Sequence, residues 1–471
     1  MIISLAAKIF KTVKHYSMLL ILIVLQTLPY SAYSLTPYST RELDELEKEF
    51  IQQINQSDSI ERNPLANQYI NSLGKRLARF AQIPNPYFFI VKSHEINAFA
   101  GPGGYIGINS QLILASGNES ELAAVMAHEL AHVRLHHLYS MIQHEKQMRI
   151  PMLASLLASM ALGILNPTLG SGAMMASLSG FAENSISFTR AREKEADRIG
   201  IDMLIRAGFN PRAMANFFKK LQQNSRYYYT ANVPAILRTH PLDDDRIAEA
   251  DNRSLHLPIK QYSDSLNYRL FKELIRVTTA ASSKQLLEYY QRECQQGVAC
   301  RYGHVMVLLD LNEFQKAQIQ LNELLVNDKN NLFFQIAMAE AETGNKQFAA
   351  AIKRLKELQS NFPDNYAALM AYAHGLLASG DQMKAVSVLL KGRRQFKTDL
   401  PLCEELARAQ SEAHLKAYAY FTQSQCQLLQ GRKRDAMRQL KIVKNLAKKD
   451  AYLLARTEAM MEEITYLNDG K

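Results

Sequence analysis

The strongest constraint in this chain is the run Met126-Ala127-His128-Glu129-Leu130-Ala131-His132-Val133. It lies inside the apolar stretch 122–135, which predicts a helix. Four residues advance about 400° along a helix, so His128 and His132 stand one turn apart on the same face and reach one metal ion. Glu129 follows His128 by about 100° of rotation, so its carboxylate can lie beside that ion and take a proton from an attacking water. Three polar groups on an otherwise apolar helix also need partners, because unpaired buried charge is costly. The pattern predicts a catalytic zinc site with one Zn2+ per chain, bound by histidines and a carboxylate with one position left for water.

The 471 residues are 47% hydrophobic with a formal charge of +10, which excludes a disordered chain and leaves room for two or three domains. Residues 1–34 read as a signal peptide. Lys8, Lys11 and Lys14 precede the apolar run 18–25, and Ala32 and Ser34 suit cleavage before Leu35. The run breaks at Gln26 and Pro29, short of the ~20 residues that a membrane span needs. An exported chain is not expected to meet nucleic acid. All four cysteines, Cys294, Cys300, Cys403 and Cys426, lie far from the motif and are not metal ligands. They can pair as Cys294 with Cys300 and Cys403 with Cys426, pair in either other way, or remain buried thiols; spacing does not choose.

In chain order, a capping box at Ser39-Thr40-Arg41-Glu42 opens one helix, and a second starts near Pro64. Residues 87–91 form a short strand, and the glycine-rich stretch 97–109 is a turn leading into another, about ten residues before the metal helix. A strand there can take up an extended substrate peptide through backbone pairing, with Asn97, Ala98, Phe99, Gly103 and Gly104 as the substrate-strand residues. The metal helix is expected to begin near Ser120 and run past His137. A continuous helix holds His136 about 6 Å further along the axis than His132, away from the ion. Leu135 and Leu138 also exclude the zincins that bind through a third histidine. Residues 151–182 carry no charge, and each half of about 15 residues is too short to cross a bilayer. A hairpin of two short helices fits, packed in the core or dipping into a membrane surface. Glu193 and Asp197 share a helix face, so one can ligate the metal while the other holds a histidine ring; Glu195 points elsewhere.

From about residue 270 the pattern changes. Ala317, Ala351 and Ala385 recur at 34 residues with Gly344 and Gly380 at turns, the tetratricopeptide period. Ala436 stands 51 residues after Ala385, which suggests an inserted helix around 402–413. Residues 382–449 carry fifteen Lys and Arg against five Asp and Glu, a surface suited to acidic partners or anionic lipid.

The H-E-x-x-H helix, Asn97-Ala98-Phe99-Ala100, Pro102-Gly103-Gly104 and Glu193-x-x-x-Asp197 resemble the gluzincin family of the CAAX prenyl protease and the HtpX protease. The resemblance implies Glu193 as third zinc ligand beside His128 and His132, and carries the family's aspartate onto Asp197. With its leader and repeat tail, the chain is most similar to the BepA-like β-barrel assembly-enhancing proteases. Their zinc-facing His-Pro loop and the Arg after it map onto His240 and Arg246, although His240 before Pro241 read alone is a turn residue. The similarity implies a periplasmic protease that promotes assembly of outer-membrane β-barrel proteins and degrades stalled ones, meeting the β-barrel assembly machinery through its repeats.

The expected fold is mainly α, with α+β in the protease part. A zincin-like metalloprotease domain with a small β-sheet occupies 35–265, and an α-helical tetratricopeptide solenoid occupies 270–471. The alternative from another class is a chaperone scaffold with a structural or idle metal site. Glu129 speaks against it, because a structural site needs no base.

Overall fold

The computed structural model describes residues 40–83, 85–144, 183–227, 234–257, 260–294 and 297–469. The expected leader and the charge-free stretch 151–182 lie outside them. The chain forms two units, Met1–Glu42, of which only the start of one helix is described, and Leu43–Lys471. Among the described residues no helix is long and apolar enough to cross a membrane.

Helix α1 (Thr40–Gln56) is followed by α2 (Pro64–Ala78). Asn63 caps α2 by accepting from the Leu65 and Ala66 amides, and Pro64 stands where its missing N–H leaves nothing unpaired. Three strands follow: β1 (Tyr87–Val91), β2 (Ala98–Ala100) and β3 (Tyr105–Asn109). They pair in the order β1-β3-β2, β1 parallel and β2 antiparallel to β3. Gly103 and Gly104, at φ +68° and +79°, turn the chain from β2 into β3, in backbone states that side chains disfavour.

In this order Ala98 and Phe99 of the expected substrate strand lie on β2, at an edge of the sheet. The strand leading towards the metal helix is β3, which is paired on both sides and has no edge to offer. The edge is β2. The Gly101 amide donates to Tyr105 O and the Asn109 amide to Asn97 O, and Phe99 pairs with Gly107. Antiparallel alternation therefore turns the N–H and C=O of Ala98 and Ala100 outward. Phe99 itself has a packing role, its ring lying over Gly107 and edge-on to Phe89.

A short helix α3 (Ser110–Ala115) leads to α4 (Glu119–Arg134), which carries the H-E-x-x-H run. Around it lie α5 (His137–His144), α6 (Glu183–Ala207), α7 (Ala213–Tyr227), α8 (Ala235–Thr239) and α9 (Asp244–Leu255). α4 packs against α2, β2, α6 and α7, which places the motif at the centre of this half.

Paired helices make up the rest: α10 (Leu266–Thr278) with α11 (Ser283–Arg292), α12 (Val298–Asp310) with α13 (Phe314–Asn327), α14 (Leu332–Gly344) with α15 (Phe348–Asn361), α16 (Tyr366–Ala378) with α17 (Gln382–Gln395), α18 (Leu400–Glu412) with α19 (Lys416–Leu429), and α20 (Lys433–Leu446) with α21 (Ala451–Asp469). First helices start at 298, 332, 366 and 400, and second helices at 314, 348, 382 and 416, so the 34-residue period is unbroken. The inserted helix expected around 402–413 is a correction. α18 is an ordinary first helix, and buried Ala419 continues the series of Ala317, Ala351 and Ala385. Ala436 falls one and a half periods after Ala385 because it belongs to a first helix, not a second.

The array is joined to the half that carries the H-E-x-x-H run. One apolar core runs from Leu65 through Ala127 and Phe271 to Ala367. Tyr69 of α2 stacks on Phe271 of α10 at 4.4 Å, the Tyr366 amide donates to Gln68 Oε1, and Asn55 Nδ2 donates to Leu429 O.

Cys294–Cys300 and Cys403–Cys426 are disulfides, and there is no free cysteine. The second ties α18 to α19 from two buried positions. Replacing Cys403 and Cys426 with Ala is expected to lower stability by about 3 kcal/mol, the loop-closure term for a bridge of this span. Urea unfolding followed by circular dichroism measures it, and no change in midpoint would leave the bridge without a stabilising role.

Candidate metal centre

Helix α4 begins where Asn118 Oδ1 accepts from the Glu121 amide, with Glu119 and Glu121 suiting the positive end of the helix. Glu119 also anchors the helix to the first repeat, accepting from Tyr69 Oη at 2.7 Å and from the Ser265 amide at 3.0 Å. The helix is buried from Ser120 to Ala131, on all faces, so amphipathic periodicity could not have bounded it. It stops at Arg134. His136 takes φ +52°, and the chain restarts as α5 at His137, so the expected continuous helix past His137 is not formed. A left-handed residue of this kind is a usual helix stop. His136 is exposed, as expected, but the break turns His137 back towards His132.

Helix α6 lies directly on α4. Gly200 permits this, since a side chain there would meet the His128 amide nitrogen at 3.3 Å and Met214 at 3.0 Å. That close approach carries Glu193 and Asp197 to the histidines.

Four side chains converge. His128 Nε2 is 3.0 Å from His132 Nε2, 3.3 Å from Glu193 Oε2 and 3.3 Å from His240 Nδ1. Glu193 Oε1 is 3.4 Å from His132 Nε2 and 3.1 Å from His240 Nδ1. A four-coordinate ion with bonds of about 2.0–2.1 Å holds its ligand atoms about 3.3–3.4 Å apart, so these donors frame one tetrahedral metal position. The residues fit a metal on a second ground. Glu129 is 1% exposed, and neither of its carboxylate oxygens has a hydrogen-bond partner. A buried carboxylate is stable only with a donor facing it, which a water on the ion would supply once His240 leaves the fourth position. His240 Nε2 stands 3.5 Å from Glu129 Oε1.

A second layer holds the ligands. Asp197 Oδ1 is 2.9 Å from His128 Nδ1, which leaves His128 Nε2 for the metal. Arg246, 2% exposed, grips Asp197 through Nε at 2.8 Å and Nη2 at 2.9 Å. Its Nη1 donates to Pro241 O at 2.7 Å and lies 3.1 Å from Glu193 Oε2. One guanidinium thus joins the metal-facing carboxylate, the His128 holder and the His-Pro segment. Burial alone would raise the Asp197 carboxyl, but the His128 and Arg246 hydrogen bonds hold it below the usual range. Burial and Arg192 push His137 down to about 4, so its ring is neutral at pH 7. On the other side Val125, Met214, Phe217, Phe218 and Leu237 line a cavity of about 20 Å³ between His128 and His240, the room of one water.

Of the residues singled out from sequence, His128, His132, Glu193 and His240 share the cluster, with Glu129, Asp197 and Arg246 in contact with it. Ala98 and Phe99 lie on the edge strand, with Asn97 just before it, while Gly103 and Gly104 form the turn beyond it. Glu195 is half exposed and faces His137, not the cluster. Sequence reasoning missed His137, and the signal was the Leu135-His136 break, invisible to helical spacing. Asp197→Ala is expected to weaken metal affinity by roughly 10- to 100-fold, as loss of a ligand's orienting partner does. Titration against a chelator measures it, and unchanged affinity would mean that Asp197 serves only Arg246.

Residues 64–254 match peptidase family M48. The chain is 30% identical to the β-barrel assembly-enhancing protease of Escherichia coli K12 over 89% of its own length and 87% of the relative's. It is 34% identical to the putative β-barrel assembly-enhancing protease of Vibrio cholerae, over 62% of this chain and 61% of that one. Among solved structures, a tetratricopeptide repeat protein from Parabacteroides merdae aligns at 12% identity with a TM-score of 0.26, over 59% of this chain and 96% of that chain.

Proposed function

Because this chain belongs to the β-barrel assembly-enhancing proteases of metallopeptidase family M48, we propose that it is an exported zinc endopeptidase that promotes assembly of outer-membrane β-barrel proteins and degrades those that misassemble. The observation that carries this is the convergence of His128, His132 and Glu193 beside a buried Glu129 whose carboxylate oxygens accept no hydrogen bond. A Zn2+ held by those three ligands would polarise the scissile carbonyl and acidify a water. Glu129 takes the proton of the attacking water and returns it to the leaving amine. Ala98 and Ala100 offer their outward backbone groups to an extended chain, which favours unfolded clients over folded barrels. His240 would fill the ion's fourth position and keep the resting site closed.

Two disulfides suit an oxidising compartment, which supports a periplasmic location. The basic stretch 382–449 of the array is the surface we assign to the β-barrel assembly machinery, and 151–182 to a peripheral membrane contact.

The test is degradation of a urea-unfolded outer-membrane β-barrel protein by the purified protein, beside the same client folded in detergent. The unfolded client is cut and the folded one spared; a chelator stops the reaction and Zn2+ restores it. Cleavage that ignores the chelator would sink the proposal.

A further inference from the structure

His137 lies outside the H-E-x-x-H run, and nothing in the chemistry above uses it. It is nonetheless buried, and its Nδ1 sits 2.9 Å from His132 Nδ1. The metal-facing geometry dictates who donates. His132 Nε2 is the atom that meets His128 and Glu193, so in a ligating His132 the proton resides on Nδ1. That Nδ1–H points at His137, whose Nδ1 must then accept, and the His137 proton sits on Nε2. Its Nε2 faces Glu195 Oε2 at 3.8 Å, an acceptor on the right side though too distant for a direct hydrogen bond.

We infer that His137 is a positioning residue for the metal centre: it accepts the Nδ1–H of His132 and aims that ring at the ion, as Asp197 does for His128. This rests on the zinc reading above. The ring is held from both ends of its own backbone. His136 at φ +52° brings it back over α4, and Arg192 Nη1 donates to the His137 carbonyl at 3.2 Å while Nη2 reaches Ser140 Oγ at 2.5 Å. Arg192 and Glu195 flank Glu193 on α6. One short run of that helix therefore supplies a ligand, a direct holder for the first histidine in Asp197, and the brace for the holder of the second. The bland alternative is that His137 merely fills space behind His132.

Two variants separate these. His137→Phe keeps a ring of similar size without an acceptor, and His137→Asn keeps an acceptor carbonyl without the ring. Metal affinity is read by chelator competition, ligand geometry by the visible absorption of the Co2+-loaded protein, and folding by the melting of the metal-free protein. The Phe variant is expected to bind metal about 10- to 100-fold more weakly with a shifted Co2+ spectrum, and the Asn variant to recover most of the affinity. If Phe disturbs folding, His137→Ala takes its place. Wild-type affinity and spectrum without the acceptor, or equal losses in the Asn and acceptor-free variants, would overturn the inference. His132→Ala is the control. If it too kept full affinity, the zinc site itself would be wrong, independently of His137.

Discussion

Glu129→Gln leaves the metal bound and removes cleavage. The carboxamide has the size and burial of the carboxylate, and Glu129 is not one of the converging donors, so the metal position keeps its ligands. It cannot take a proton at neutral pH, however, and general-base assistance of this kind accounts for about 10²- to 10⁴-fold in rate. Turnover of an unfolded β-barrel client should fall by about 10³-fold, with metal content equal to wild type. The same variant separates protease from scaffold. Assembly support that persists in Glu129→Gln belongs to the repeats and needs no chemistry, whereas degradation of stalled clients needs Glu129. Equal cleavage by both proteins would remove Glu129 from the mechanism and return the metal to a structural role.

The site was legible in the sequence to the extent that local geometry determines it. His128 and His132 are one helical turn apart whatever surrounds them, and Glu193 and Asp197 share a face for the same reason. The choice of Glu193 over Asp197 as the ligand, and any part for His240 or Arg246, came only from resemblance. These depend on where α6 and the His-Pro segment land, and Gly200 decides the first by letting two backbones touch. The sheet was half legible. Its strands are apparent from β-branched and aromatic residues, but strand order is a long-range property that the sequence does not state. In the array, a 34-residue alanine period was read correctly until one alanine in a first helix was counted as one in a second. The Cys403–Cys426 pairing followed neither spacing nor composition, since it needs α18 laid against α19.

Removing the two non-motif members of the cluster should have opposite effects. Glu193 and His240 both stand within 3.4 Å of the His128 imidazole nitrogen, yet they are held differently. Glu193 rides on α6, which is packed along α4 and pinned by Arg246; His240 lies at the end of the five-residue helix α8, whose Ile236 amide donates to Ile96 O just before the edge strand. Glu193→Ala removes a ligand that nothing replaces, so metal is lost and cleavage falls to the level of Glu129→Gln. His240→Ala leaves His128, His132 and Glu193 in place and frees the fourth position that a catalytic zinc reserves for water. If the open form is a minor state of about 0.1–10%, unlatching should raise turnover by about 10- to 10³-fold. Metal content should stay that of wild type, and self-cleavage should appear. Turnover of one unstructured peptide by wild type and His240→Ala decides it. A fall of about 10²-fold would instead make His240 a donor to the tetrahedral intermediate, and an unchanged rate would reduce it to a turn residue before Pro241.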